Sequence, residues 1–172
     1  MLRLFIAILP DEHTRGRLYA CAFEAAGGRA VRRENLHMTI AFIGETDRYK
    51  EIKNAMDSVR FAPVRINIDR YGCFGKSSPR LLWAGGRADK NLLRLYEALR
   101  SRLSERGIET ENRAFAPHIT LCRRFLGELP EAAPNILLAS DKISLMQSVN
   151  ENGRTVYKEL YSVRATESSK IT

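Results

Sequence analysis

Cysteine is scarce: Cys21, Cys73 and Cys122 are the only three in 172 residues. Their number is odd, they lie far apart and none forms a CxxC pair. That argues against a disulfide framework or a zinc finger, and a reducing cytoplasm is the expected setting. Long apolar runs are also missing, and nothing approaches a membrane span. The apolar opening, residues 1–9, is short and ends at Pro10-Asp11-Glu12 with no small-residue cleavage site, so it reads as a buried strand rather than a signal peptide. Acidic residues are in deficit, 20 against 28 Lys and Arg, for a formal charge of +8 and a pI near 9.7. That balance favours a polyanionic partner, with RNA or a nucleotide the simplest. Histidine is the last scarce residue, with three in the chain.

What is present is an ordinary apolar fraction of 44%, enough for a core. Length predicts one domain, residues 1–172, with room for two lobes. Residues 2–9 read as a strand, and 11–26 as a helix ended by Gly27-Gly28. His13 falls in the first turn of that helix, as a solvated side chain. Ala30 to Arg33 read as a short extended piece, and Arg29, Arg32 and Arg33 stand just before the first motif, either as a solvated basic segment or as a rim that draws phosphate. Further elements are a strand over 36–43 stopped by Gly44, a helix over 47–59 capped by Asp47, and a strand over 64–69. A turn-rich loop over 71–79 leads to a strand over 80–84, where Trp83 reads as core. A helix over 89–106, with Leu92, Leu95, Tyr96, Leu99 and Leu103 on one stripe, ends at Gly107. After a strand over 115–123, Pro130 and Pro134 predict irregular chain. Strands over 142–149 and 155–163 then join through Asn150-Glu151-Asn152-Gly153, and a polar tail begins near 165.

Two of the three histidines head the same pattern. Leu36-His37-Met38-Thr39-Ile40 is echoed by Pro117-His118-Ile119-Thr120-Leu121, 81 positions further on (37 to 118). On a strand, residues i and i+2 share a face, whereas on a helix they diverge. His37 with Thr39, and His118 with Thr120, would therefore each offer an imidazole and a hydroxyl roughly 6–7 Å apart along a strand. Behind them Met38, Ile40, Ile119 and Leu121 face the core. Two groups that titrate near neutrality and two hydroxyl donors suit acid–base attack on a phosphate ester. No metal-ligand cluster or cofactor motif accompanies them. By strict alternation Cys122 shares the face of His118 and Thr120, which makes it a candidate thiol nucleophile, but nothing in the sequence activates it.

The surroundings repeat too. Strand, helix and motif strand occur in that order in each half, with His 11 positions after the first helix end (26 to 37) and 12 after the second (106 to 118). The expected fold is α+β, with two pseudo-symmetric lobes, each an antiparallel sheet with helices on its outer face. The motif strands would face one central cleft.

On these residues the chain resembles the two-histidine phosphoesterases, and within them the bacterial and archaeal RNA 2′,3′-cyclic phosphodiesterases, formerly called 2′-5′ RNA ligases. The resembling stretches are Arg3-Leu4-Phe5-Ile6-Ala7-Ile8, Glu34-Asn35-Leu36-His37-Met38-Thr39-Ile40-Ala41-Phe42-Ile43-Gly44, Pro79-Arg80-Leu81-Leu82-Trp83 and Ala116-Pro117-His118-Ile119-Thr120-Leu121-Cys122-Arg123. The resemblance implies metal-free hydrolysis of RNA ends or nucleotides bearing a 2′,3′-cyclic phosphate, leaving a 2′-phosphate. It implies no cofactor and no membrane, and a monomer is expected. By motif order it makes His37 the proton donor and His118 the acceptor, with Thr39 and Thr120 on the phosphate oxygens. Phe42 becomes the aromatic packed on the terminal base, and Arg123 the basic residue after the second motif. Strict alternation turns Phe42 and Arg123 away from the cleft unless the strands bulge, and turns Arg124 towards it. Both arginines are therefore substrate-binding candidates. The same motifs would serve small cyclic nucleotides or 2′-5′ ligation, and a non-catalytic basic RNA-binding module is the reading from another class.

Overall fold

The computed structural model describes residues 1–25, 27–77, 79–111 and 114–166. Three helices and nine strands follow in the order β1 (Leu2–Ile8), α1 (Glu12–Glu24), β2 (Arg29–Ala30), β3 (Met38–Thr46), α2 (Tyr49–Asp57), β4 (Val64–Phe74), β5 (Arg80–Ala88), α3 (Lys90–Ser104), β6 (His118–Phe125), β7 (Ile136–Ser140), β8 (Lys142–Glu151) and β9 (Arg154–Arg164). A single 3-10 turn, Arg33–Asn35, precedes β3. Helices α1 and α3 start where the sequence offers a cap. The Asp11 carboxylate accepts from Thr14 N (2.7 Å) and that of Asp89 from Leu92 N (2.7 Å). That hydrogen bonding holds the Asp11 carboxyl below its usual range. Leu92, Leu95, Leu99 and Leu103 bury one stripe of α3, and Gly107 leaves it at φ +65.

The strands form one antiparallel sheet in the order β7-β4-β5-β6-β3-β1-β8-β9, with β2 against the free stretch of β6. The two expected lobes are its two arms. Each motif strand is innermost in its arm, and the strand that precedes the helix lies next to it: β1 beside β3, β5 beside β6. The arms join at one residue pair, Met38 with Ile119. Beyond it β3 leaves β6, and the chain after α1 fills the gap. Arg29 and Ala30 pair with Arg123 and Cys122, and Val31 N donates to Leu121 O (2.7 Å). Behind the sheet one core spans both arms, with Ile6, Ile8, Met38 and Ile40 continuous with Leu82, Ala84, Ile119 and Leu121. Helix α1 packs on β6 and β7 of one arm, and α3 on β3, β4 and β5, so α3 crosses the seam.

Several boundaries differ from the sequence expectation. Gly44 does not stop β3; it sits inside the strand at φ +87, and Leu4 pairs across it. Asp47 does not cap α2. The Thr46 hydroxyl takes Arg48 N (3.1 Å) and the helix begins at Tyr49. The turn signal at Tyr71-Gly72-Cys73-Phe74 is strand, paired to Leu81–Ala84 of β5. Its glycine is there for packing: a Cβ at Gly72 would come within 2.1 Å of the Trp83 ring. Strand β7 lies in the stretch expected to be irregular, with Ile136 and Leu138 buried and Leu137 exposed at the sheet edge.

The Gly72–Trp83 contact supports a test. Gly72→Ala must push the indole aside, an overpacking of about 1–3 kcal/mol. A lower urea midpoint and a shifted emission from the chain's one Trp are the expected results. An unchanged midpoint and spectrum would show the ring to be loose.

Candidate active site

The Met38–Ile119 pair sets the site. Both side chains are fully buried in the core, so their neighbours face the other side of the sheet. In antiparallel register those neighbours stand crosswise, Thr39 opposite His118 and His37 opposite Thr120. Four side chains thus rise from a patch of backbone about 5 Å by 6–7 Å. Thr39, Thr120 and Phe42 line both halves of the cleft. One half is a cavity of about 350 Å³ with His118, Phe74, Leu81, Tyr96 and Phe115 on its walls. The other, about 720 Å³, holds His37, Arg3, Asn35, Arg123, Gln147 and Tyr157.

Both imidazoles are fixed in the same way. His37 Nδ1 donates to the Asn35 carbonyl (2.7 Å) and His118 Nδ1 to the Ala116 carbonyl (2.6 Å). A carbonyl only accepts, so each Nδ1 carries a proton and each Nε2 is the nitrogen that can take or give one. In neutral His37, Nε2 accepts from the Thr39 hydroxyl (3.1 Å). Each ring also has two aromatic walls. Phe5 (4.8 Å between centroids) and Tyr157 (4.9 Å) flank His37; Phe74 (4.8 Å) and Trp83 (6.1 Å) flank His118. The halves differ in what lies behind them. Asn35 is buried, and its side-chain amide donates to Thr155 O (2.9 Å), tying the β8–β9 hairpin to His37. Burial pushes the His37 pKa below its ordinary 6.5, with the charges of Arg123 and His118 acting in the same direction and the Asn35 bond opposing.

Matched bulges decide which later residues join. Ile6 pairs with Ala41 and Ala7 with Thr39, leaving Ile40 extra; Trp83 pairs with Thr120 and Leu82 with Cys122, leaving Leu121 extra. In each motif strand the extra residue is the third after histidine. The next residues, Ala41 and Cys122, turn into the core, and the fifth, Phe42 and Arg123, return to the cleft. Two expectations are corrected by this. Arg124 does not face the cleft; it stands exposed at a second irregularity with φ +54 and lines neither cavity. Cys122 is buried behind the sheet, its thiol donating to Ala22 O (3.4 Å) and its pKa raised by burial, which leaves no reactive thiolate in the cleft.

Sequence reasoning did not single out Asn35, Phe5, Tyr157 and Phe74 as site residues, and it read Trp83 as core. The i−2 carbonyl that holds each histidine was legible only once both strands were seen to begin at the motif. Among the described residues, no three His, Cys, Asp or Glu side chains cluster as a metal site, and no helix is long and apolar enough to cross a membrane.

A two-armed sheet carrying crossed His-x-Thr pairs is the arrangement of a phosphoesterase. The family described as LigT like Phosphoesterase matches residues 9–83 and 86–157, each match containing one His-x-Thr motif. The chain belongs to that family. RNA 2′,3′-cyclic phosphodiesterase of Escherichia coli (strain K12) is 34% identical over 166 residues, 92% of this chain and 93% of that protein. The protein of that name from Thermotoga maritima is 31% identical over 176 residues, 93% and 94% of the two chains. The crystal structure of E. coli LigT in apo form superposes with a TM-score of 0.86 at 29% identity, covering 96% of this chain and 98% of that one. The same protein complexed with 3′-AMP gives 0.84 at 28%, with the same coverage.

The low pKa of His37 has a stability consequence. Between the unfolded value near 6.5 and the lower folded value, the unfolded chain binds more protons. Native stability should therefore fall as pH drops through that window. Urea midpoints measured from pH 7.5 to 5 should show the fall, and His37→Gln should flatten it. An equal slope in the variant would remove His37 as the cause.

Proposed function

We propose that the chain hydrolyses 2′,3′-cyclic phosphate ends of RNA to 2′-phosphate ends, with Thr39 and Thr120 donating to the non-bridging oxygens. The observation that carries this reading is the crossed quartet: two histidines, each with Nδ1 tied back, stand crosswise with two hydroxyls along one cleft. The curated relatives with that activity support the substrate class. Water attacks phosphorus and gives its proton to His118 Nε2 as the P–O3′ bond breaks. His37 Nε2–H donates to O3′. The step leaves a 2′-phosphomonoester, neutral His37 and protonated His118, and exchange with solvent resets both. Phe42 packs on the terminal base, and Arg123 offsets charge on the phosphate.

The depressed pKa of His37 agrees with the donor role once substrate is present. In the empty cleft the ring is neutral and accepts from Thr39. An anionic phosphate beside it favours the imidazolium and offsets the charge of Arg123. Protonation then turns Nε2 into a donor and releases the Thr39 hydroxyl to the phosphate. All these side chains come from one chain, which is in keeping with a monomer. The core shared by the two arms supports one domain over residues 1–172, and three free thiols suit a reducing cytoplasm.

A short RNA ending in a 2′,3′-cyclic phosphate, incubated with the protein in EDTA, should yield 2′-phosphate ends. Binding without turnover, unchanged in a His37→Ala/His118→Ala variant, would mark a non-catalytic module instead. Chelation that abolishes turnover, restored by a divalent ion, would defeat the metal-free mechanism.

Thr39→Ala and Thr120→Ala should each lower kcat by roughly 100–1000-fold with an unchanged urea midpoint, since each removes a donor to a developing charge. Near-normal rates would make the hydroxyls structural.

The histidine roles separate on a substrate whose 3′ leaving atom is sulfur, because a thiolate departs without a proton. His37→Ala should recover most of its rate there and His118→Ala should not. Rescue of His118→Ala alone would reverse the assignment.

A further inference from the structure

The cleft is chemically lopsided. Its His118 end is apolar and aromatic, whereas beyond His37 a further cavity of about 340 Å³ opens, sharing Asn35, Arg123, Thr155 and Tyr157 with the cleft. Arg29, Arg32, Arg123 and Arg154 line it, and among the described residues no Asp or Glu does. Arg32 pairs with Glu34 (2.9 Å), but Arg29, Arg123 and Arg154 make no ion pair among the described residues. The topology brings them together: β2 runs beside β6 because β3 has left it, and Arg154 begins β9 after the Asn152-Gly153 turn. Arg29 and Arg123 are direct cross-strand partners. Like charges directly opposite destabilise a strand pair, and an anion between them reverses the sign of that interaction. The unbalanced guanidinium groups are thus contiguous with the site of phosphate chemistry.

We propose that this cavity is a second phosphate site, which takes the phosphate 5′ to the cyclised one. The RNA would then lie with its terminal base towards the His118 end and its 5′ run leaving past His37. The inference rests on the central quartet being the cyclic-phosphate site.

The test compares wild type with Arg29→Ala/Arg154→Ala on three substrates: a nucleoside 2′,3′-cyclic phosphate, the same compound with a 5′-phosphate, and a trinucleotide ending in the cyclic phosphate. Both side chains are exposed, so folding should be unaffected. On the first substrate kcat/KM should stay within about twofold. On the trinucleotide it should fall roughly tenfold or more, with the log–log salt slope shallower by about one unit. Arg29→Lys/Arg154→Lys should restore most of the loss, because charge is kept. A loss that already appears with the 5′-phosphorylated mononucleotide shows that a terminal phosphate fills the site; a loss confined to the trinucleotide shows that a backbone phosphate is required. Equal losses on all three substrates, or none on any, overturn the proposal. If wild type turns over none of them, the catalytic reading has failed, and anisotropy with a labelled trinucleotide 3′-phosphate still reads the second site. Weaker binding by the Ala variant supports it and equal binding overturns it.

Discussion

The backbone bridge between Met38 and Ile119 is the constraint on which the site depends. It is the one residue pair that joins β3 to β6, and it sets Thr39 against His118 and His37 against Thr120. Its own hydrogen bonds cannot hold two four-stranded arms together. A backbone bond contributes about 0.5–1.5 kcal/mol net, whereas each fully buried Met, Ile or Leu side chain contributes about 1.5–3 kcal/mol. Met38, Ile119, Leu121 and Leu82 are all completely buried at the seam. The core behind the sheet, with α3 packed on strands of both arms, therefore fixes the spacing of the quartet. This allows the strands to diverge beyond the bridge and leave a cleft without loosening the quartet.

Divergence leaves β6 with unpaired backbone, which β2 covers. That repair is also what carries Arg29 to a position opposite Arg123. The same geometric decision, β3 parting from β6, thus makes both the opening for substrate and the basic flank beside it. The arginines cluster although their positions in sequence, 29, 32, 123 and 154, give no hint of it.

Much of the fold was legible in the chain because local physics and tertiary packing agree there. The helices expected over 11–26 and 89–106 are present, Gly107 ends α3 at positive φ, and period-two patterning located both motif strands. What was not legible came from residues doing a tertiary job that imitates a local signal. Gly72 looks like a turn and is room for Trp83. Gly44 looks like a stop and is an irregularity inside a strand. Leu137 hides the alternation of β7 because an apolar residue stands on its exposed face. The bulges at Ile40 and Leu121 leave no mark at all. The runs Ile40-Ala41-Phe42-Ile43 and Leu121-Cys122 are apolar or small throughout, so an extra residue does not interrupt any pattern. Period two alone put Cys122 and Arg124 at the cleft, and the bulge replaced them with Arg123.

The duplication supplies two equal halves, but acid–base chemistry needs them unequal. The inequality comes from the surroundings rather than from the motifs. His37 is enclosed by Phe5 and Tyr157 and held by an Asn35 that is itself anchored to Thr155; His118 is held by a carbonyl of the loop before β6. Enclosure and the nearby positive charge of Arg123 both favour neutral His37 in the empty site. An arriving phosphate outweighs the first influence and offsets the second, since the anion interacts directly with the imidazolium and engages the guanidinium that opposed it. With His37 as the proposed donor, the acid would then be formed by its own substrate. A neutral polyol or an uncharged ester that fitted the same space would leave His37 unprotonated, so on the proposed roles selectivity for an anionic ester would lie in the protonation state of the donor as well as in the contacts that bind it.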